Sequence, residues 1–384
     1  MRAAALVLVL TLPACLVGPG EAQATSISHA EAGAMQRSAQ DLPVGSSQAA
    51  DPVIEPQGVQ PALVRPPLGL DAMPLAERSD GAITKIGRHR FRSGLSWKSG
   101  AACSTGFGAW RGRELGATMT FPAHNTWQAI YAHISSGAYR TLMRQSPVPV
   151  VSLALLPQSE AQQFARCSRG AFDNEYKRIG AKLVQVGAGG AVIRLGWEVS
   201  RGGRRPWSPA TMAQIPAYKA CFRRAVRALR STAPRVRIEW SNARKTVLRV
   251  KPIDLYPGSD VVDIIGLVYY DNFSPKITSP SVWNSQYRAT DDGWPVGMGA
   301  WLDLARSLNK KLAVAEWGIW NNTGIEAADN PAFIESMYNF FRANAGSIAY
   351  ESYHNCSETR HKLYPVGLFR RASAKYQQLW SAGN

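Results

Sequence analysis

Buried-strand runs alternate with amphipathic helical segments over most of the chain, and this pattern limits the possible folds more than any other feature. Strands that are apolar along their whole length are covered on both faces, as they are in parallel sheets. The helical segments between them supply the crossover connections. The strand runs are 147–157, 189–198, 235–242, 261–271, 310–320 and 347–355, and the helical segments are 172–187, 215–232, 294–309 and 330–345.

The spacing of these runs predicts an α/β fold of the (β/α)8 TIM barrel type, because each strand–helix unit takes roughly 40 residues. The alternative, a doubly wound open sheet, normally carries a glycine-rich phosphate-binding turn after its first strand. The run VGAGG at 186–190 precedes a strand instead and predicts an ordinary turn. Counting along the chain makes AVIRLGWE the fourth strand, KKLAVAEWG the seventh and SIAYESYHN the eighth.

The N-terminal part of the chain has a different character. Residues 1–24 start with one Arg before a short apolar run and end in Ala-Gln-Ala, which indicates a cleaved secretory signal peptide. The alternative is a lipoprotein box, LPAC, that ends at Cys15. Residues 25–86 are rich in Ala, Ser, Pro and Gln with hardly any aromatic residue, so we predict a disordered linker there. We expect one (β/α)8 domain over 87–384, in a protein that is secreted or periplasmic.

Four cysteines remain after such a signal peptide, at Cys103, Cys167, Cys221 and Cys356. None has the CxxC spacing of a zinc site. In an exported chain we expect two disulfides, and buried free thiols are the alternative. Four cysteines can pair in three ways, and their spacing does not select one of them.

The formal net charge of the chain is +17. Residues 25–86 carry four basic and seven acidic side chains, and residues 1–24 are neutral overall, so residues 87–384 carry about +20. A field of this sign favours anionic partners. No nucleic-acid-binding motif is present, and export argues against nucleic acid, so an acidic polysaccharide or a bacterial surface is the expected partner. Arg usage that serves only solubility is the alternative.

Two of the predicted strands end in a glutamate next to a tryptophan: Glu198 in VIRLGWE and Glu316 in LAVAEWG. The C-terminal ends of the strands form the active site of such a barrel. Two carboxylates that face one mouth suit glycoside hydrolysis, and a retaining enzyme places them roughly 5–5.5 Å apart. We expect Trp197 to raise the pKa of an acid/base at Glu198, and a tyrosine of strand six to stand beside a nucleophile at Glu316. Each glutamate alone could instead be a structural partner of an arginine.

These motifs carry a family resemblance. The runs GAWRGRELGATMTFPAHNTWQAI, VIRLGWE, DVVDIIGLVYYD and LAVAEWG resemble successive strand motifs of the family 26 glycoside hydrolases, the β-mannanase family of clan A. The resemblance extends over residues 92–380 and implies an acid/base at Glu198 and a nucleophile at Glu316. It also implies that Tyr270 orients the nucleophile and that Trp110 and Arg111 lie in the region that lines the pocket.

The sequence departs from the family pattern at three positions. Trp197 stands where many mannanases have His, Ser200 takes the position of an Asn, and Val268 replaces a common Asp. These positions fall near the sugar subsites. Mannan, a β-glucan and an acidic exopolysaccharide therefore all remain candidate substrates.

Other residues are candidates for sugar contacts, because the flat faces of sugars stack on aromatic rings. The tryptophan candidates are Trp110, Trp207, Trp240, Trp317 and Trp320. Roughly half of them are expected to be core residues, since aromatic side chains bury large areas. Trp207, in the loop RGGRRPWSP, is expected to be an exposed platform. Arg201, Arg204 and Arg205 of that loop either bind an acidic sugar or are solvated. His354, at the end of strand eight, either contacts a hydroxyl or is structural.

The remaining motifs restrict the function further. Glu351 is expected to point outward or to pair with an Arg, and Glu239 to have a non-catalytic role. No GxSxG or HExxH motif occurs in the sequence, so neither a metal nor a cofactor is expected. We therefore predict a monomeric, exported, retaining glycoside hydrolase that is endo-acting on a β-linked polysaccharide. The alternative is a non-catalytic carbohydrate-binding barrel.

Overall fold

The structure is a computed structural model that describes residues 97–103, 106–144, 146–272, 275–321, 329–356 and 360–381. The predicted signal peptide, the predicted linker and Cys15 lie outside the described residues. Within the described part of the chain, no helix is both long and apolar enough to cross a membrane.

Eight parallel strands form a closed barrel, so the predicted (β/α)8 fold is confirmed. The barrel strands are β1 (Ser99–Ala102), β2 (Ala117–Thr120), β3 (Pro149–Leu153), β4 (Val192–Leu195), β5 (Arg237–Ala243), β6 (Ile264–Tyr270), β7 (Lys311–Gly318) and β8 (Ile348–His354). Each strand pairs with its neighbours in chain order, and β8 pairs with β1 to close the barrel. The positions that the sequence predicts for strands four, seven and eight are therefore correct. A two-stranded antiparallel ribbon joins 290–291 to 294–295 outside the barrel.

Helices surround the strands. They are α1 (Phe107–Trp110), α2 (Trp127–Ser135), α3 (Gly137–Met143), α4 (Phe164–Ser168), α5 (Asp173–Gln185), α6 (Ile215–Thr232), α7 (Pro252–Leu255), α8 (Pro280–Gln286), α9 (Met298–Ser307), α10 (Pro331–Ala343) and α11 (Arg370–Trp380). Helix α6 is an example of how these helices pack. Its apolar stripe is buried, and its arginines lie between the residues of that stripe in the sequence. Short 3₁₀ turns span Gln158–Glu160, Val199–Arg204, Met212–Gln214 and Ala345–Ser347.

The period-two alternation of the strands separates the helix-facing layer from the barrel interior. On β5, Ile238 and Trp240 belong to the large outer core, whereas Glu239 and Ser241 reach the interior. The indole of Trp240 is fully buried and donates to the Tyr218 hydroxyl of α6 at 3.2 Å. The prediction that Trp240 forms a sugar subsite is therefore wrong, because packing between strand and helix uses its whole surface.

Two disulfides are present, as predicted. Cys103–Cys356 joins the end of β1 to the segment after β8, where the first and last strands meet. Cys167–Cys221 joins α4 to α6. The two bridges close loops with sequence separations of 253 and 54 residues, and a bridge over a longer loop constrains the unfolded chain more strongly.

Candidate active site

A bulge in β7 determines where Glu316 points. Next to the site, β7 contains one residue more than β6 and one more than β8. On the β6 side, the consecutive residues Leu267 and Val268 pair with Val314 and Glu316, so Ala315 is the extra residue. Strict alternation would place Glu316 on the same outer side as Val314. The extra residue, Ala315, faces the barrel interior, and Glu316 reaches the interior directly after it. Bulges are frequent next to active sites because they redirect a side chain in this way.

Glu316 is 4% exposed, and three side chains surround its carboxylate. Arg194 Nη1 donates to Oε1 at 2.8 Å, and the Tyr270 hydroxyl donates to Oε2 at 3.2 Å. His354 Nδ1 lies 3.6 Å from Oε2. Arginine and tyrosine donors on separate oxygens fix both the position and the plane of the carboxylate. Tyr270 therefore occupies the place that the sequence predicts for it.

Arg194 comes from β4 and is fully buried in the barrel interior. Besides Glu316, its guanidinium contacts Glu239 Oε1 at 3.2 Å and the Ser152 hydroxyl at 2.7 Å. Glu239 also accepts from the hydroxyl of Tyr350, and its carboxylate occupies the space that a Cβ at Gly266 would fill. Burial raises the pKa of Glu239, while Arg194 and Tyr350 oppose that shift. Through Arg194, these buried side chains of the barrel interior hold the Glu316 carboxylate in place.

Glu198 lies beyond its strand rather than within it, because β4 ends at Leu195. Gly196 and Glu198 both have left-handed backbone angles, with φ of +60° and +55°. A Cβ at 196 would lie 3.1 Å from Leu155 and 3.2 Å from Trp207, so glycine suits that position on two grounds. The left-handed conformation is costly for a glutamate and recurs at functional sites. Ser200 then fixes the turn to β5, because its hydroxyl accepts from Ala243 N at 3.0 Å.

The carboxylate of Glu198 is 2% exposed and forms an ion pair with Arg205. Burial raises the pKa of Glu198, but Arg205, Arg201 and Arg194 together outweigh it and hold that pKa below its ordinary value. This differs from the environment that the sequence predicts, in which Trp197 raises the pKa. Trp197 does pack beside this group, and the Arg205 guanidinium lies 5.8 Å from its ring centroid.

Glu198 and Glu316 act on the same neighbour. Burial raises the pKa of Tyr270 well above its ordinary value, and the negative charges of Glu316 and Glu198 raise it further. Burial and Arg194 lower the pKa of His354 to about 3, and burial and His354 lower that of His361 to about 3. Both imidazoles are therefore neutral near pH 7.

Aromatic rings surround the two carboxylates. Phe121 connects the two sides, with ring centroids 5.9 Å from Trp197 and 5.9 Å from His354. Tyr270 continues the series at 5.7 Å from His354 and 5.2 Å from Trp320. Trp320 is half-buried, with Arg360 over its ring, so it is the predicted tryptophan best placed to meet a ligand.

Two predicted platforms belong to the core. Trp207 is fully buried, packs against Trp197 with ring centroids 4.2 Å apart, and donates to the Trp197 carbonyl at 2.8 Å. Trp317 is fully buried and donates to Glu351 Oε2 at 2.5 Å. Neither indole has surface left for a sugar, so both predictions of a sugar contact are wrong. The bulge also explains why Trp317 is buried in the core, since the alternation resumes after Glu316 and the next side chain lies on the helix-facing side.

Trp110 and Arg111 lie at the end of α1 rather than on a strand. Trp110 stacks on Tyr376 of α11 at 5.9 Å. Arg111 is 1% exposed, and its donors bond the Ser99 hydroxyl at 2.7 Å and the Glu114 carbonyl at 2.7 Å. The prediction that Arg111 contacts substrate is therefore wrong, and Trp110 packs in the layer between the barrel and α11.

Glu351 points outward from the barrel, as expected, but its hydrogen-bond partners are indoles rather than an arginine. Trp317 and Trp380 donate to its two oxygens, the latter at 3.0 Å. Burial raises its pKa, opposed by a hydrogen bond with Ser99, by the two indole donors and by Arg111. A carboxylate held between two indoles behind the barrel is separated from Glu316 by the sheet itself.

Three residues of the site have no role in the sequence-based interpretation: Arg194, Phe121 and His361. An arginine inside the apolar run AVIRLG is the one signal that reasoning from the sequence could have used, since a buried strand accepts such a charge only with a buried partner. Phe121 and His361 follow strand ends and carry no comparable signal. Among the described residues, no group of three or more His, Cys, Asp or Glu side chains could hold a metal ion.

Comparisons with known proteins give the class of fold. No protein-family model matches the chain, and no curated protein matches it by sequence. The solved structure of the mannanase BCman from Bacillus subtilis matches with a TM-score of 0.53 and 17% identity, covering 79% of this chain and 92% of that chain. The catalytic domain of a family 26 endo-β-1,4-mannanase from Bacillus sp. JAMB-750 matches with a TM-score of 0.51 and 15% identity, covering 75% and 88%.

A double mutant of a Cellulomonas fimi endo-β-1,4-mannanase also matches, with a TM-score of 0.51 and 15% identity, covering 79% of this chain and 76% of that chain. At these identities the likeness establishes the fold. The barrel has the fold of solved family 26 mannanases, and the resemblance that the motifs indicate is confirmed for the fold.

Proposed function

We propose that this protein is a retaining glycoside hydrolase that cleaves a β-linked polysaccharide internally and works outside the cytoplasm. The observation that carries the proposal is the placement of two buried carboxylates in a closed (β/α)8 barrel, Glu198 in the turn after β4 and Glu316 near the C-terminal end of β7, where such barrels form their active sites. A family 26 fold with mannanases among its structural neighbours supports it. The two disulfides fit an oxidising compartment.

The first chemical step uses Glu316 as the nucleophile. Its carboxylate forms a bond to the anomeric carbon while the bond from that carbon to the glycosidic oxygen breaks. Arg194 and Tyr270 keep the attacking oxygens in one orientation, which reduces the cost of reaching the transition state. Glu198 supplies the proton that the departing oxygen takes up.

The second step reverses the roles. Glu198, now ionised, takes a proton from water, and the water oxygen displaces Glu316 from the anomeric carbon. The ion pair with Arg205 suits this step, because it favours the ionised form of Glu198. The same pair opposes the first step, in which Glu198 must be protonated.

That opposition favours a second candidate function, a carbohydrate-binding barrel without catalysis. In such a protein Arg205 would hold Glu198 permanently as an anion. Both candidates use the aromatic rim, but only the enzyme needs Glu316 to react.

Hydrolysis of a polysaccharide panel by four proteins separates the two candidates. We expect wild type to release reducing ends, Glu316→Ala to lose roughly 10⁴-fold or more in turnover, and Glu198→Gln to lose roughly 10²- to 10⁴-fold. Glu335→Ala is the matched control, because Glu335 is an exposed glutamate on α10. Glycan binding by wild type without any hydrolysis would favour the binding barrel, and full turnover by Glu316→Ala would exclude Glu316 as nucleophile.

A further inference from the structure

The loop after β4 brings positive charge to the acid/base candidate. Glu198 is followed directly by the 3₁₀ turn Val199–Arg204 and then by Arg205, whose guanidinium bonds its carboxylate. The Arg205 side chain is 13% exposed and lies 5.8 Å and 5.9 Å from the ring centroids of Trp197 and Trp207. These contacts hold the guanidinium against the carboxylate of Glu198.

The charges around Glu198 do not suit a neutral substrate. Arg205, Arg201 and Arg194 all act on its carboxylate, and Arg194 is shared with Glu316. The other titratable groups that share this environment are Tyr270, His354 and His124. Burial raises the pKa of Tyr270 and lowers the pKa of both imidazoles, so none of the three carries charge near pH 7. Protonation of Glu198 would therefore remove the negative charge of its carboxylate from beside Arg205 and Arg201. A sugar that carries only hydroxyl groups supplies no negative charge to replace it.

We propose that Arg205 selects substrates with a uronic acid next to the scissile bond, and that the sugar carboxylate replaces Glu198 as its anionic partner. This inference rests on the proposed function and names its substrate class. An arginine fork binds a carboxylate through two parallel hydrogen bonds, so the exchange keeps one charge-assisted pair in the site. The rings of Trp197 and Trp207 keep the guanidinium in place during the exchange.

The exchange also supplies the acid. As the sugar carboxylate binds Arg205, Glu198 takes up one proton from solvent. The proton adds one positive charge to the site and the substrate adds one negative charge, so the total charge of the site does not change. Glu198 then gives this proton to the glycosidic oxygen as the bond to the anomeric carbon breaks and Glu316 bonds to that carbon. A neutral sugar leaves the Arg205–Glu198 pair intact and Glu198 ionised.

Matched sugars test the selection by binding rather than by turnover. Oligosaccharides of β-1,4-mannuronan and β-1,4-mannan, or of β-1,4-glucuronan and cellulose, differ only in the group at C6. With Glu316→Ala protein, titration calorimetry should give a dissociation constant roughly 10- to 100-fold lower for a uronate member than for its neutral counterpart. Arg205→Gln in the same background should abolish the preference, whereas Arg204→Gln, which removes an exposed charge from the same loop, should retain it.

The proton provides a second readout. Titrations in buffers of different ionisation enthalpy should show proton uptake with uronate oligosaccharides, and none after Glu198→Gln. Equal affinity for both members of every pair, a preference that survives Arg205→Gln, or uronate binding without proton uptake would each overturn the inference. Inactivity of wild type on all substrates would instead count against the proposed function, since the binding preference is measured without turnover.

Discussion

The two candidate catalytic carboxylates are held by different parts of the molecule. Glu316 is positioned by the barrel itself, through a bulge in β7 and the buried Arg194 of β4. Glu198 lies in a left-handed turn outside the strand, and its strongest partner, Arg205, comes from the following loop. The difference suggests a division of labour: the nucleophile must keep one geometry, whereas the acid/base must change its protonation state twice per turnover.

Removal of Arg194 should have the largest effect on this division. Arg194→Met leaves Glu316 and Glu239 in the barrel interior without their guanidinium, and breaking one partner of a buried pair costs about 3–5 kcal/mol of the free energy of unfolding. Urea unfolding measures this loss in the free energy of unfolding. Arg204→Gln is the control and should change the free energy of unfolding by no more than about 0.5 kcal/mol, because Arg204 is exposed. A loss under about 1 kcal/mol for Arg194→Met would contradict a barrel-held nucleophile.

Tyr270→Phe should reduce activity without unfolding the protein. It removes the hydroxyl that donates to Glu316 Oε2 and keeps the ring that packs on His361 at 4.8 Å. A hydrogen bond to a charged group contributes about 1.5–3 kcal/mol, so kcat/KM should fall roughly 10- to 100-fold. Tyr218→Phe is a matched control, because that buried hydroxyl accepts from Trp240 in the layer between β5 and α6. Equal losses in both variants would mean that the effect is structural.

The pH dependence of activity should depend on the charges next to Glu198, the carboxylate that pairs with the loop after β4. Arg205 lowers the pKa of Glu198, so Arg205→Gln should raise that pKa. In the proposed mechanism the protonated form of Glu198 acts as the acid, so the alkaline limb of kcat/KM on a neutral substrate should move to higher pH. Arg204→Gln should leave the limb unchanged. Movement to lower pH in Arg205→Gln would contradict the assignment of that limb to Glu198.

The smallest effect should come from the aromatic rim. Trp320→Ala removes a half-buried ring next to Tyr270, and an aromatic contact contributes about 0.5–1.5 kcal/mol, so KM should rise roughly 2- to 10-fold. Trp240→Ala should instead destabilise the fold by about 3–5 kcal/mol, because Trp240 is a core residue. Thermal unfolding together with Michaelis–Menten kinetics separates the two results. A destabilised Trp320→Ala protein would place that ring in the core as well.

The sequence predicts the barrel well, because the strands are long apolar runs and the helices keep their period. It also places Glu198 and Glu316 at strand ends. It does not predict which tryptophans are buried, since an indole on a strand serves equally as core or as subsite, and Trp207, Trp240 and Trp317 all turned out to be core. The bulge at Ala315 adds one residue to a regular alternation, and no local residue type announces it.

Trapping of the glycosyl-enzyme tests the central claim most directly. The Glu198→Gln variant needs no acid to cleave a 2,4-dinitrophenyl β-glycoside of the sugar that wild type accepts, but it cannot activate water for the second step. We expect the covalent adduct to accumulate, and peptide mass mapping to locate it on Glu316. An adduct on any other carboxylate, or turnover of this substrate with inverted product configuration, would contradict the account.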